Sequence, residues 1–163
     1  MTMWVFGYGS LLWNPGFEAQ ERVIATLPGY HRSFCMRSIH HRGTEDEPGL
    51  VLALDALEGA QCNGVALSVA SHEQDDVLAY LRERELISSA YLEKMLHVAL
   101  ADGRKVEAVT YVIDAEHDQY CGGMPLEEQA LFKTILLIPI GALVVVLLRV
   151  LVGLKTSGTF MPV

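Results

Sequence analysis

The sequence predicts an α+β domain: a small twisted sheet or barrel of mixed or antiparallel strands, with helices at its side. Three observations predict it. Short β-rich runs recur through the first half and stop at Gly, Pro or acidic residues, one capped stretch of helical period follows, and an Asp-Gly pair then joins two further apolar runs. At 163 residues, 51% of them hydrophobic, the chain has enough apolar surface for one core, so a single domain over 1–163 is expected.

The first element is the run Met3 to Phe6, read as a buried strand. It breaks into Gly7-Tyr8-Gly9-Ser10-Leu11-Leu12, where the two glycines are expected to turn with positive φ and to let a ligand approach bare N–H groups. Three familiar loops are excluded. Leu12 stands where a dinucleotide fingerprint needs its third glycine, Tyr8 and Leu12 replace the glycines of a nucleophile elbow around Ser10, and the Gly-Lys-Ser/Thr ending of a phosphate loop is missing. Ser10 therefore reads as a hydrogen-bonding group, not as a nucleophile.

Four strands are expected next: Arg22 to Leu27, Tyr30 to Ser38 after a Pro28-Gly29 turn, Leu50 to Asp55, and Cys62 to Val69. His40 to Gly49 is polar and aperiodic, and reads as a loop over a site. Ser71-His72-Glu73-Gln74 has the form of a capping box that opens a helix from about His72 to Leu86. On its wheel Val77, Leu78 and Leu81 face inward and Glu85 falls on the same side, with Arg84 on the flank. A carboxylate on an apolar face has its charged form disfavoured, which moves its pKa toward the range useful for proton transfer; the structural alternative is a Glu that reaches solvent or pairs with Arg82 or Arg84. Leu92 to Ala101 and Lys105 to Asp114 form a hairpin around Asp102-Gly103. A second helix is expected to open at Pro125, with Glu127 and Glu128 in its first turn.

Composition narrows the partners. A net charge of −8 with no Lys/Arg stripe repels phosphate backbones, so nucleic acid is not expected. Cys35, Cys62 and Cys121 are odd in number and widely spaced, and His31, His40 and His41 lack ligand spacing relative to Cys35. Neither disulfide framework nor metal site is signalled, and with no basic leader at the front the chain reads as cytoplasmic.

Taken together, Trp4 to Phe17, Gly29-Tyr30-His31-Arg32-Ser33-Phe34-Cys35 with Ser38, His41-Arg42-Gly43-Thr44, Pro48-Gly49, Arg84-Glu85 with Tyr91, Tyr120, and Leu126-Glu127-Glu128-Gln129 resemble the ChaC-like family of γ-glutamylcyclotransferases. The resemblance covers about the first 130 residues in unbroken order. It implies a small mixed sheet, partly closed into a barrel, with flanking helices, and an enzyme that degrades glutathione to 5-oxoproline and cysteinylglycine without a cofactor or metal. It also implies that Val5, Phe6, Gly7, Tyr8, Gly9, Ser10 and Leu11 hold the γ-glutamyl group and that Glu85 is the catalytic carboxylate. Tyr8, Tyr91 and Tyr120 are candidate pocket walls or core residues. Two alternatives stay open: a cyclotransferase for another γ-glutamyl amine, and a non-catalytic γ-glutamyl-binding or regulatory protein.

Residues 131–163 depart from that family's charged, amphipathic end. Ile135 to Leu148 is fourteen uncharged residues, and the apolar run resumes after Arg149. A buried helix or strand is the favoured reading; membrane contact by 135–154 and a locally shifted reading frame are the other two.

Overall fold

The computed structural model describes residues 2–38 and 49–124. Five strands close into a barrel in the order β1-β3-β2-β4-β5: β1 (Met3–Gly7), β2 (Glu21–Ser38), β3 (Gly49–Val69), β4 (Tyr91–Leu100) and β5 (Lys105–Ile113). One helix, α1 (Gln74–Glu85), lies against it, and a 3₁₀ turn, Ser10–Leu12, follows β1. The expected α+β class and mixed sheet are both found. Neighbours pair antiparallel except at the seam, where β1 runs parallel to β5 through Trp4 with Ala108 and Val5 with Val109.

The four short strands expected between Arg22 and Val69 are in fact two long ones. Pro28-Gly29 is not a turn but a bend inside β2, where the register with β3 moves from Pro28 opposite Gln61 to Tyr30 opposite Ala56. Gly29 and Gly59 both take φ +77 at this level, so the two strands bend together and the ladder resumes beyond them. Sequence punctuation marked a real break in geometry but not in pairing.

The helix begins later than the capping box suggested. The Glu73 N–H donates to the Ala70 carbonyl at 2.9 Å, so the chain leaves β3 through a tight turn, and Glu73 is the N-cap with no side-chain cap bond. The hairpin was read correctly: β4 and β5 pair from Tyr91 with Ile113 to Ala99 with Lys105, and Gly103 takes φ +92 in the turn. Arg104 braces that turn, its Nη2 lying 2.7 Å from both Asp102 Oδ2 and Glu21 Oε2. The helix expected from Pro125 and the apolar segment 131–163 lie outside the described residues, as does most of the loop from His40 to Gly49.

Strand alternation divides the core in two. Trp4 and Phe6 point into the barrel with Leu27, Leu54, Val98 and Val112, whereas Val5 points out toward α1. The outer layer packs Val5, Leu67, Val69, Val109 and Tyr111 against Val77 and Leu81 of the helix. Leu81 is fully buried, and Leu78 packs at the margin, as the helical period predicts. This layer fixes the C-terminal turn of α1, and hence Glu85, beside the loop that follows β1.

Candidate active site

The loop after β1 is held by its carbonyls. Arg32 of β2 donates to Tyr8 O at 3.1 Å, Arg22 of β2 donates to Leu12 O, and Arg84 of α1 donates to Asn14 O at 2.8 Å. Internal bonds add to this, from Leu12 N to Gly9 O at 2.9 Å and from Asn14 N to Ser10 O at 2.9 Å. The expected positive φ does not occur at either glycine of the motif. Gly7 serves close packing instead, since a Cβ there would sit 3.0 Å from Leu11 Cβ. Gly9 takes φ −126, and among the described residues nothing comes within 4 Å of where its side chain would project. Its backbone is thus open to an approaching group.

A cleft of about 670 Å³ opens where this loop meets the end of α1. Ser10 of the loop, Arg84 and Glu85 of α1, Tyr91 of β4, Met36 and Ser38 of β2, Val51 of β3 and Gln119 line it. Ile87 and Ser88, just past the helix, complete the rim. Segment 119–121 brings Gln119 to the cleft by docking on the edge of β2: Arg37 N donates to Gln119 O at 2.8 Å, Gln119 Nε2 donates to Arg37 O at 2.8 Å, and Cys121 N donates to Cys35 O at 2.7 Å.

Glu85 is about one-fifth exposed and its Oε1 lies 3.2 Å from Arg84 Nε. Burial pushes its carboxyl above the ordinary value, and the Arg84 charge pulls it part of the way back. Both readings of this residue therefore hold at once: it pairs with Arg84, and it remains harder to ionise than a free carboxyl. The Tyr8 phenol is held well above its ordinary value, first by burial and then by the charges of Tyr91 and Glu85.

The structure separates the sequence-derived candidates. Ser10 and Glu85 line the same cleft, with Tyr91 beside them. The side chains of Val5, Phe6 and Leu11 are buried in the core, so these three can offer a ligand only backbone groups. Tyr120 belongs elsewhere, to a second cavity of about 370 Å³ in which its hydroxyl donates to Asp55 Oδ2 at 3.0 Å, and its pKa is pushed up to about 12 by burial and that bond. Gln119, Met36 and Val51 carried no local signal of a site, and Ser38 entered only with the resemblance. The strands β2 and β3 bring Met36, Ser38 and Val51 to the cleft, and the docking of 119–121 on β2 brings Gln119.

Residues 3–141 match the family model of ChaC-like proteins. The chain belongs to the ChaC-like family. Among its relatives, the glutathione-specific γ-glutamylcyclotransferase of Escherichia coli (strain K12) is 42% identical over 118 residues, 72% of this chain and 50% of that protein. γ-Glutamylcyclotransferase 2-3 of Arabidopsis thaliana is 35% identical over 136 residues, 80% of this chain and 68% of that one. The glutathione-specific γ-glutamylcyclotransferase 1 of Homo sapiens is 33% identical over 138 residues, 83% and 61% of the two chains. The chain thus spans between half and about two thirds of the length of these relatives. The crystal structure of the yeast cyclotransferase specific to glutathione shares the fold with a TM-score of 0.70 at 21% identity, over 79% of this chain and 76% of that one. A second family model, of seven transmembrane helices usually fused to an inactive transglutaminase, matches residues 120–163 and overlaps the end of the first match.

Proposed function

We propose that this ChaC-like chain converts glutathione to 5-oxoproline and cysteinylglycine, with Glu85 as general base and then general acid. Its support is the pairing of a half-buried carboxylate of raised pKa with the Ser10 loop across one cleft, in a chain whose relatives carry that activity in their names. The substrate's own α-amine attacks its γ-carbonyl, so the new C–N bond closes a five-membered lactam and the old C–N bond to cysteine breaks. No enzyme nucleophile, metal or cofactor enters this reaction. The α-nitrogen enters as an ammonium and ends as a lactam N–H, so it loses two protons. Glu85 takes one and delivers it to the departing cysteinyl nitrogen as the C–N bond breaks, and the second passes to that freed amine, which leaves as an ammonium. The loop from Gly7 to Leu11, with Val5 and Phe6 behind it, holds the γ-glutamyl group folded toward the ring, and this pre-orientation supplies several kcal/mol of rate. The backbone N–H of Gly9 and the Ser10 hydroxyl face the oxyanion that forms on the γ-carbonyl.

The direct test is purified full-length protein with glutathione, followed by chromatography for 5-oxoproline. Absence of product, with glutathione binding retained in calorimetry, would replace the enzyme by a binding protein. Faster turnover of another γ-glutamyl amine would move the substrate assignment.

A second proposal concerns place. Among the described residues no helix is long and apolar enough to cross a membrane, and the catalytic domain is assigned to the cytoplasm. The segment 135–154, however, is twenty residues with Arg149 as its one charge, and it lies within the match to a family of transmembrane helices. That match favours membrane contact over a buried element and over a shifted frame. We therefore assign 135–154 to a membrane: the full-length chain should stay in the pellet after alkaline carbonate extraction, and its release into the supernatant would overturn the assignment.

A further inference from the structure

Arg84 reaches both halves of the cleft. Its Nη2 donates to Ser10 Oγ at 2.8 Å, its Nη1 to Asn14 O at 2.8 Å and to Tyr80 Oη at 3.1 Å, and its Nε lies 3.2 Å from Glu85 Oε1. A guanidinium has five N–H donors, so four of them are engaged within the protein. Arg84 lines the cleft, yet its donors are spent on the loop and on Glu85 and not held ready for a substrate anion.

The bond to Ser10 has a chemical consequence. Arg84 can only donate, so Ser10 Oγ accepts, and the hydroxyl hydrogen is left to point at another acceptor. On the cleft side that acceptor is the substrate. We propose that Arg84 is a positioning residue: it turns the Ser10 hydroxyl into a donor aimed at the γ-carbonyl oxygen, and it holds Glu85 ionisable at a fixed separation from that donor. This inference rests on the cyclotransferase reading for its substrate, but not for its geometry.

The electrostatic half has few other sources. Among the described residues, the ionisable groups that face Glu85 besides Arg84 on its own helix are Tyr8 of the loop, Tyr91 of β4 and Tyr111 of β5. These are phenols, and burial raises Tyr8 and Tyr111 further. Between about pH 5 and 9, Arg84 is then, among the described residues, the charged neighbour that eases the loss of the Glu85 proton.

The experiment uses full-length protein and four variants, Arg84→Lys, Arg84→Gln, Ser10→Ala and Arg84→Lys with Ser10→Ala. Arg84→Gln should raise the Glu85 titration, read by carboxyl carbon NMR against a Glu85→Gln control, and move the acidic limb of kcat/KM up with it. Arg84→Lys keeps the charge, so that limb should stay near wild type while kcat falls about 30-fold or more through loss of the Ser10 bond. Ser10→Ala should cost about 10²-fold alone but less than about threefold in the Arg84→Lys background. An unmoved Glu85 titration in Arg84→Gln, or an equal Ser10→Ala cost in both backgrounds, overturns the proposal. If Arg84→Gln unfolds, the Ser10 cycle in the Lys background decides it. If the wild-type protein makes no 5-oxoproline, the enzyme reading fails, while the NMR titration still decides whether Arg84 governs Glu85.

Discussion

Helix α1 and the barrel hold two carboxylates that look alike in sequence and behave in opposite ways. Glu93, on β4, accepts from Arg82 Nε at 2.8 Å and Nη2 at 2.7 Å, and from the Tyr111 hydroxyl at 3.1 Å. Those bonds hold its carboxyl below the ordinary range, with the Arg82 bond the largest cause. Glu85 has an arginine as its immediate neighbour in the chain, where Arg82 and Glu93 are eleven positions apart, but Arg84 gives it one contact at 3.2 Å and spends other donors on the loop and on Tyr80. Desolvation then dominates, and the carboxyl is raised. A neighbouring arginine does not by itself make a carboxylate structural. What decides is how many of its N–H groups the carboxylate receives: a bidentate fork stabilises the charge, while a single longer contact in a half-buried cleft leaves desolvation to dominate.

The strongest way to break this comparison is to remove each carboxylate in turn. Glu85→Gln should lower 5-oxoproline formation by about 10²–10⁴-fold, the usual worth of a positioned acid-base group. Its fold should survive, because burial disfavours the charged form of this group and the neutral amide does not carry that penalty. The sign follows from the raised pKa: ionising Glu85 costs the folded protein stability as pH rises through the ordinary carboxylate range, so the Gln variant should melt no lower than wild type at neutral pH. Glu93→Gln should retain most of the activity. Equal losses of activity in the two variants would erase the distinction.

The next effect is on the layer that places both arginines. Leu81 is fully buried between α1 and the strands, one residue before Arg82 and three before Arg84. Leu81→Ala should cost about 2–5 kcal/mol in urea unfolding. Activity should fall with it under native conditions, because the turn that carries Glu85 loses its anchor. Gly64→Ala probes the other side of the site: a Cβ there would meet the Gly7 carbonyl at 2.5 Å, and so press on the strand that feeds the loop. We expect about 1–3 kcal/mol of destabilisation, with a rise in KM exceeding the fall in kcat.

The difference between Glu85 and Glu93 was half legible in the sequence. The helical period placed Val77, Leu81 and Glu85 on one face, and α1 bears this out, because that period follows from backbone geometry alone. The same reasoning read β1, β4 and β5 within a residue or so. It failed where pairing partners decide: Pro28-Gly29 looks like a turn locally, and only the ladder with β3 on both sides makes it a bend. It failed likewise at Ser71, where a backbone bond from Glu73 to Ala70 replaces the expected side-chain cap. The place of Gln119 in the cleft left no trace, since segment 119–121 is held mainly by backbone bonds, Arg37 N to Gln119 O and Cys121 N to Cys35 O, that many sequences could make. Arg84 showed as a residue on the flank, as a possible partner of Glu85 and in the family resemblance, but its bonds to the loop did not show. Its four contacts join elements separated by up to 74 positions, which no local pattern encodes.

The smallest effect sharpens the comparison most cleanly, because it reverses the sign found at Glu85. Glu93 has a lowered carboxyl, so its contribution to stability is present above the ordinary carboxylate range and disappears as pH falls through the folded-state value. Arg82 is half exposed, so solvent screening keeps the contribution small. Glu93→Gln should therefore lower Tm slightly at neutral pH and in low salt. The gap should narrow in high salt and close in acid, where the wild-type carboxylate is itself protonated. Glu85→Gln should show the opposite trend over the same pH range, level with wild type in acid and at or above it near neutrality. Parallel Tm-against-pH curves for the two variants would mean that the fork from Arg82 and the single contact from Arg84 do not distinguish the two carboxylates after all.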